Sequence, residues 1–212
     1  MEILKKYENS NLKPLLQLSS VTAMLDSFLI KRISDIKQAR FLRLIDSLDD
    51  GSINIKDEEI KSDDFINKFL LTTNSVINTR KLAKQDLFTR LFKNSIESNE
   101  LLIDDFEELI IILDSLSQRE LIILMNLKRY ENKKNYDHIM DENDEYAYAK
   151  QFWSEFMNET QLELKIEADI LISHLTRLNR TGLYRTYNGF WTSNDIVGKT
   201  TKLFDELQKA LI

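Results

Sequence analysis

The sequence of 212 residues contains no cysteine, 1 proline and 4 glycines. Without cysteine there is no disulfide framework, no zinc ribbon, no thiolate-ligated iron–sulfur cluster and no cysteine nucleophile. Sandwiches, barrels and parallel α/β sheets need repeated turns rich in glycine and proline, so the scarcity of both residues argues against those folds. The sequence therefore predicts a mainly α-helical protein.

Long apolar segments are also missing. No run of about 18 uncharged apolar residues occurs, and Met1-Glu2-Ile3-Leu4-Lys5-Lys6 is followed by polar residues rather than by a signal-peptide core. The net charge is -6 and the pI is about 5.1, which gives no global attraction to nucleic acid or to an anionic membrane. We therefore expect a soluble, cytoplasmic protein that does not bind membranes.

Helix signals divide most of the chain. The single proline, Pro14, suits the first position of a long helix, or of two abutting helices, that ends at Asp49-Asp50-Gly51. Ser62 precedes a second helix with carboxylates in its first turn, and further amphipathic stretches follow from about Asn78. Ser117-Gln118-Arg119-Glu120 before an apolar run predicts a capping box.

The C-terminal segment has a different pattern. Gly182 follows a periodic helix, as a C-cap glycine does, and Leu183–Tyr187 and Phe190–Thr192 flank Asn188-Gly189, a strong hairpin signal. A last helix is expected from Thr201 to Leu211. The predicted fold is mainly α: a multi-helix, bundle-like assembly with a small C-terminal β-hairpin and a winged-helix-like end. It divides into an N-terminal helical part (1–100) and a C-terminal part (101–212).

The order of helix, glycine and hairpin over 161–192 suggests nucleic-acid binding, because a winged helix places one helix in the major groove and its hairpin on the backbone. The candidate contacts are Arg177, Arg180, Tyr184, Arg185, Tyr187, Trp191 and Lys199. Residues 161–212 carry seven bases against six acids, which is little positive charge for a phosphate-binding surface. The alternative is a hairpin whose aromatic residues cap a helical core.

Two phrases resemble bacterial winged-helix domains. Ile172–Leu183, with its Leu-x-Arg-Leu pattern before Gly-Leu, resembles the end of a recognition helix, and Leu116–Leu124 resembles the opening helix. The chain departs from that pattern in the middle, where residues 131–145 are acidic and no compact helix-turn-helix is readable.

A longer resemblance covers residues 62–200. A charged, aromatic helix (Arg80–Phe92), an acidic-aromatic helix (Phe106–Leu109), the Leu-Ser-x-x-Glu turn and the terminal Leu-x-x-x-Gly-Leu together resemble the abortive-infection alpha family of bacterial and prophage proteins. The resemblance implies a role in phage defence or mobile-element biology, exerted through contacts with other molecules.

Charge is segregated along the chain. Residues 80–93 carry five bases against one acid, whereas residues 131–160 carry eight acids against three bases. Such segregation fits head-to-tail self-association into a homo-oligomer, an intramolecular match or a partner with an acidic patch, although a solvated helix face has the same composition. The candidate partner-binding residues are Arg80, Lys81, Lys84, Arg90 and Lys93.

Catalytic signatures are missing. No phosphate loop, Gly-x-Ser-x-Gly elbow or His-Glu-x-x-His occurs, and the loop that starts at Asp141 lacks the glycine and glutamate of an EF-hand. His138 and His174 fit structural roles. We therefore predict no catalytic residue, metal or cofactor. The leading hypothesis is a non-enzymatic module that binds a protein partner, and the alternative is a DNA-binding regulator that uses the winged-helix-like end.

Overall fold

The computed structural model describes residues 20–49, 60–97, 101–133, 145–188 and 196–211. These residues form eight helices and one two-stranded antiparallel hairpin near the C-terminus, which confirms the mainly α fold. The chain divides into two compact units, Met1–Glu97 and Ser98–Ile212. No helix within the described ranges is both long and apolar enough to cross a membrane.

The first unit contains three described helices that pack on one another: α1 (Ser20–Leu48), α2 (Asp63–Asn78) and α3 (Leu82–Glu97). Helix α2 begins where the sequence predicted, because Ser62 Oγ accepts a hydrogen bond from the Phe65 amide at 3.1 Å. The ring of Phe92 on α3 meets Phe65 and Phe69 of α2 edge-on, at 5.5 and 5.9 Å between centroids. This aromatic cluster joins the two helices.

The second unit contains the remaining helices: α4 (Ile103–Ser115), α5 (Gln118–Glu131), α6 (Glu145–Leu164), α7 (Ala168–Arg180) and α8 (Lys202–Leu211). The predicted capping box is confirmed, since Ser117 Oγ accepts from the Glu120 amide and the Glu120 carboxylate accepts from the Ser117 amide. Helix α5 packs against α6, α7 and the hairpin. The core of the unit includes fully buried side chains from several helices: Ile123, Leu124, Leu127, Phe152, Phe156, Leu171 and Leu178.

The hairpin consists of β1 (Tyr184–Asn188) and β2 (Ile196–Thr200), with Tyr184 opposite Thr200 and Asn188 opposite Ile196. The first strand begins one residue later than the predicted Leu183–Tyr187, and Asn188, predicted as a turn residue, is instead its last residue. Its partner is Ile196–Thr200 rather than Phe190–Thr192, which lie outside the described residues together with Gly189. The β-branched Ile196 and Val197 suit a strand, and Val197 is buried.

Other predicted boundaries have clear outcomes. Helix α1 ends at Leu48, just before Asp49, and α8 begins one residue after Thr201. Gly182 follows α7 with a φ of +76°, which confirms it as the C-cap glycine. Pro14 lies outside the described residues.

Candidate interaction surfaces

Helices α6 and α7 are joined by only three residues, 165–167. Lys165 adopts a left-handed φ of 53°, and the Ile166 amide donates to the Gln161 carbonyl at 3.1 Å. A left-handed residue with such a hydrogen bond commonly ends an α-helix, and here it ends α6. Nothing in the sequence indicated this turn, because a lysine rather than a glycine occupies the left-handed position. The structure thus contains the short helix connection that was not readable from the sequence.

Arg177 of α7 is held by α5 and by the end of α4. Its Nε lies 2.8 Å from Oε1 of Glu120, and one of its terminal nitrogens donates to Glu120 Oε2 at 3.1 Å and to the Ser115 carbonyl at 3.0 Å. Glu120 is fully buried, and His174 Nδ1 lies 3.8 Å from its Oε1. Arg177 therefore neutralises a buried carboxylate of the fold.

Lys199 of β2 is also paired within the protein. Its ammonium forms an ion pair with Glu145 at the start of α6 and lies 4.7 Å from the centroid of the Tyr148 ring. Tyr184 is 1% exposed and belongs to the core, where burial raises the pKa of its hydroxyl. Both side chains therefore help to hold the hairpin on the helices.

Of the other candidate nucleic-acid contacts, the two arginines are accessible at the surface. Arg180 and Arg185 are exposed, Tyr187 is half-buried, and Trp191 lies outside the described residues. Ser173 and Thr176 of α7 are exposed as well, and each hydroxyl donates to a carbonyl one turn earlier in the helix. The exposed side of α7 therefore combines polar residues with Ile170 and Ile172, which are 47% and 48% exposed. Its exposed Arg180 lies only a few residues before the strand that bears Arg185.

A second polar cluster anchors β2 to the end of α5. Both carboxylate oxygens of Glu131 accept from Thr200, one from its amide at 2.5 Å and one from its hydroxyl at 2.6 Å. Lys128 contacts Asp205 at 2.5 Å and Glu131 at 3.5 Å. Burial lowers the pKa of Lys128, but hydrogen bonding to Asp205 and the charge of Glu131 outweigh burial, so its pKa is raised overall. This cluster was not evident from the sequence, since Lys128 and Glu131 lie far in the chain from Thr200 and Asp205.

The five basic residues predicted to bind a partner do not share one face of α3. Arg80 and Lys81 precede the helix and are exposed. Lys84 is half-buried, with its ammonium 5.6 Å from the centroid of the Phe88 ring on the core side. Arg90 is exposed, and Lys93 is half-buried. The basic segment is therefore split around the helix.

Helix α4 has the most uniform charge of the described helices. It carries five acids and no base, and all five acidic residues are exposed: Asp104, Asp105, Glu107, Glu108 and Asp114. Its opposite side buries Phe106, Leu109, Ile110 and Leu113. Ile111 is 58% exposed and lies among the acidic residues, one turn from Glu107. The acids are visible in the sequence, but helical geometry is needed to place Ile111 with them.

Helix α1 carries the opposite charge. Residues 30–43 contain five bases and one acid, and Ile36 is 37% exposed among them. Arg40 donates to the Ile77 carbonyl at 2.7 Å, and Arg43 donates to Gln85 Oε1 at 3.0 Å. This segment does not stand out in the sequence, because helical periodicity alone does not show which apolar residues stay exposed.

Comparison with known proteins adds no relative. No protein-family model, curated protein or solved structure matches the chain. Among the described residues, no group of three or more His, Cys, Asp or Glu side chains is placed to hold a metal ion.

Proposed function

We propose that this protein is a non-enzymatic interaction module that binds a protein partner through charged helix faces. The observation that carries the proposal is the outward face of α4, where an exposed isoleucine is surrounded by carboxylates. Interfaces combine an apolar contact at their centre with polar groups at the rim, and complementary charges select the partner. A face with this composition favours a partner that is basic and has an apolar residue at its centre.

The biological setting of the proposal is phage defence or mobile-element biology. It is supported by the resemblance of residues 62–200 to the abortive-infection alpha family. A protein of that kind would act by engaging another protein rather than by transforming a substrate, in keeping with a sequence that has no catalytic motif.

Affinity capture from phage-infected cells tests this function when it is performed with matched variants. Glu108→Lys reverses one charge on the α4 face, and Glu206→Lys makes the same change at an exposed position of α8. We expect a partner that is captured by the wild type and by Glu206→Lys but is lost with Glu108→Lys. Equal capture by all three proteins would contradict the proposal, and so would capture of no protein by any of them, an untagged copy of the chain included.

Nucleic-acid binding is the second candidate function. It is supported by the three-residue connection between α6 and α7, followed by Gly182 and the hairpin, which is the order of elements in a winged helix. The available contacts would be Arg180 and Arg185, since Arg177 and Lys199 are occupied by carboxylates. Two phosphate contacts give weak binding that depends only modestly on salt.

A salt series with duplex DNA separates the two functions. If α7 and β1 contact phosphates, the logarithm of the binding constant should fall as salt rises, and Arg180→Ala should reduce that slope by about 0.9. Arg90→Ala, which removes an exposed arginine from α3, serves as the control. Binding that is absent, or that responds equally to both substitutions, would exclude the winged-helix mode.

A further inference from the structure

The exposed Ile36 of α1 lies on a basic helix face. Arg32 lies four residues before it, and Arg40 and Arg43 lie four and seven residues after it, so all three are on the same side of the helix. We call this set of four residues the basic face. Arg32 and Arg43 are exposed, and Arg40 is half-buried.

Two arginines of the basic face are positioned by neighbouring helices. Arg40 is hydrogen-bonded to the last turn of α2, and Arg43 is hydrogen-bonded to Gln85 of α3. Each bond uses one of the five N–H donors of a guanidinium, which leaves donors for a carboxylate. Positioning of this kind reduces the side-chain entropy that binding would cost.

The exposed Ile111 of α4 lies on an acidic face, where the order of the charged positions along the helix is the reverse of that around Ile36. Asp104 and Glu107 lie seven and four residues before it, and Asp114 lies three residues after it. We call these four residues the acidic face. When two helices run antiparallel, positions +4 and +7 of one oppose positions -4 and -7 of the other. The charges on the two faces therefore match once Ile36 is placed on Ile111.

We propose, building on the proposed function, that the partner is a second copy of this chain, whose acidic face packs antiparallel on the basic face of the first. Ile36 contacts Ile111, Arg40 pairs with Glu107, Arg43 pairs with Asp104, and Arg32 lies beside Asp114. The isoleucine contact excludes water from the centre and so strengthens the surrounding charge pairs. Since opposite charges attract, the pairing also fixes which helices meet.

A second copy fits better than nucleic acid or another anion. A polyanion would match the basic face alone, whereas a second copy matches both faces, each with an isoleucine at its centre. The contact joins two different surfaces, so it is heterologous and builds either a closed ring or an open chain of copies. Two helix faces of this length form a small interface, and the association is therefore weak and transient.

Sedimentation velocity over a concentration series of the full chain tests the proposal. We expect the wild type to form species larger than a monomer at about 0.05 M salt and to dissociate at about 0.5 M salt, because exposed charge pairs are screened. Arg43→Glu and Asp104→Arg should each weaken association at least tenfold. Glu206→Arg, a matched reversal on α8, should leave association unchanged.

An equimolar mixture of Arg43→Glu and Asp104→Arg provides the decisive measurement. In the mixture, the new glutamate on the basic face of one chain meets the new arginine on the acidic face of the other. The unchanged acidic face of Arg43→Glu also meets the unchanged basic face of Asp104→Arg. Association of the mixture should therefore return to within about threefold of the wild type. Ile111→Ser removes the apolar centre without changing a charge and should weaken association as well. Thermal melts of all variants verify that they are folded.

Three results would overturn the inference. The first is a wild type that remains monomeric at every concentration in low salt, and the second is a mixture of folded variants that does not associate. The third is salt-dependent binding of duplex DNA that Arg43→Glu abolishes while the wild type stays monomeric. If the chain is monomeric and capture of another protein still depends on Glu108, self-association is excluded and the proposed function stands.

Discussion

Arg177 on α7 and Glu120 on α5 form an ion pair in which the carboxylate is fully buried and the arginine side chain is 57% exposed, with Nε 2.8 Å from Oε1. Glu120 also accepts from the Ser117 amide at the start of α5. The carboxylate of Glu120 therefore caps the start of α5 and also binds α7 to α5.

Loss of this arginine should destabilise the protein. Arg177→Ala leaves a buried carboxylate without its cation, and we expect the free energy of unfolding to fall by about 2 to 3 kcal/mol, below the cost for a fully buried pair. Arg180→Ala, an exposed arginine on the same helix, should change it by less than about 0.5 kcal/mol. Urea unfolding measures both, and equal effects would show that the pair contributes nothing.

Gly198 of β2 should tolerate no side chain. A Cβ atom at this position would overlap the ring and hydroxyl of Tyr184, which lies across the hairpin. We expect Gly198→Ala to lower the free energy of unfolding by about 3 kcal/mol through overpacking. In the double variant Gly198→Ala/Tyr184→Ala the overlap is absent. Its loss of unfolding free energy, measured by chemical denaturation, should therefore be smaller than the sum of the losses in the two single variants. A loss equal to that sum would show that the two side chains do not overlap.

Lys165 offers a stabilising substitution. Its φ of 53° is left-handed, a conformation that strains a residue with a Cβ and suits glycine. Lys165→Gly should raise the thermal midpoint and add about 0.5 to 1 kcal/mol of stability, after the extra entropy of glycine in the unfolded chain is subtracted. Glu167→Gly, at a φ of -78°, is the control and should give no such gain.

Tyr184 should make the protein sensitive to alkali. Burial raises the pKa of Tyr184 above its ordinary value of 10.0, so the unfolded chain releases this proton at a lower pH than the folded chain does. The stabilisation is complete below pH 10 and declines above it, by at most about 1.4 kcal/mol per pH unit for one tyrosine. Urea unfolding of the wild type and of Tyr184→Phe from about pH 9 to about pH 11 measures the decline. The variant should show a shallower slope, and identical slopes would refute the assignment.

Local signals in the sequence determined much of the fold. Scarcity of glycine and proline predicted helices, and Ser62, the Ser117–Glu120 box and Gly182 marked helix ends, because capping depends on residues only a few positions apart. The first strand of the hairpin and the last helix followed from the same kind of local pattern. These features are local in the chain, so a single sequence contains them.

Tertiary structure decided which side chains remain available at the surface. Arg177 and Lys199 resembled phosphate-binding residues, yet each meets a carboxylate more than 50 residues away in sequence. The second strand formed at 196–200, where Val197 is buried and Gly198 accommodates Tyr184. The basic and acidic faces around Ile36 and Ile111 also required the structure, because packing determines which apolar residues of an amphipathic helix stay exposed. Burial and ion pairing depend on residues that are far apart in the chain, so composition and local spacing alone do not predict them.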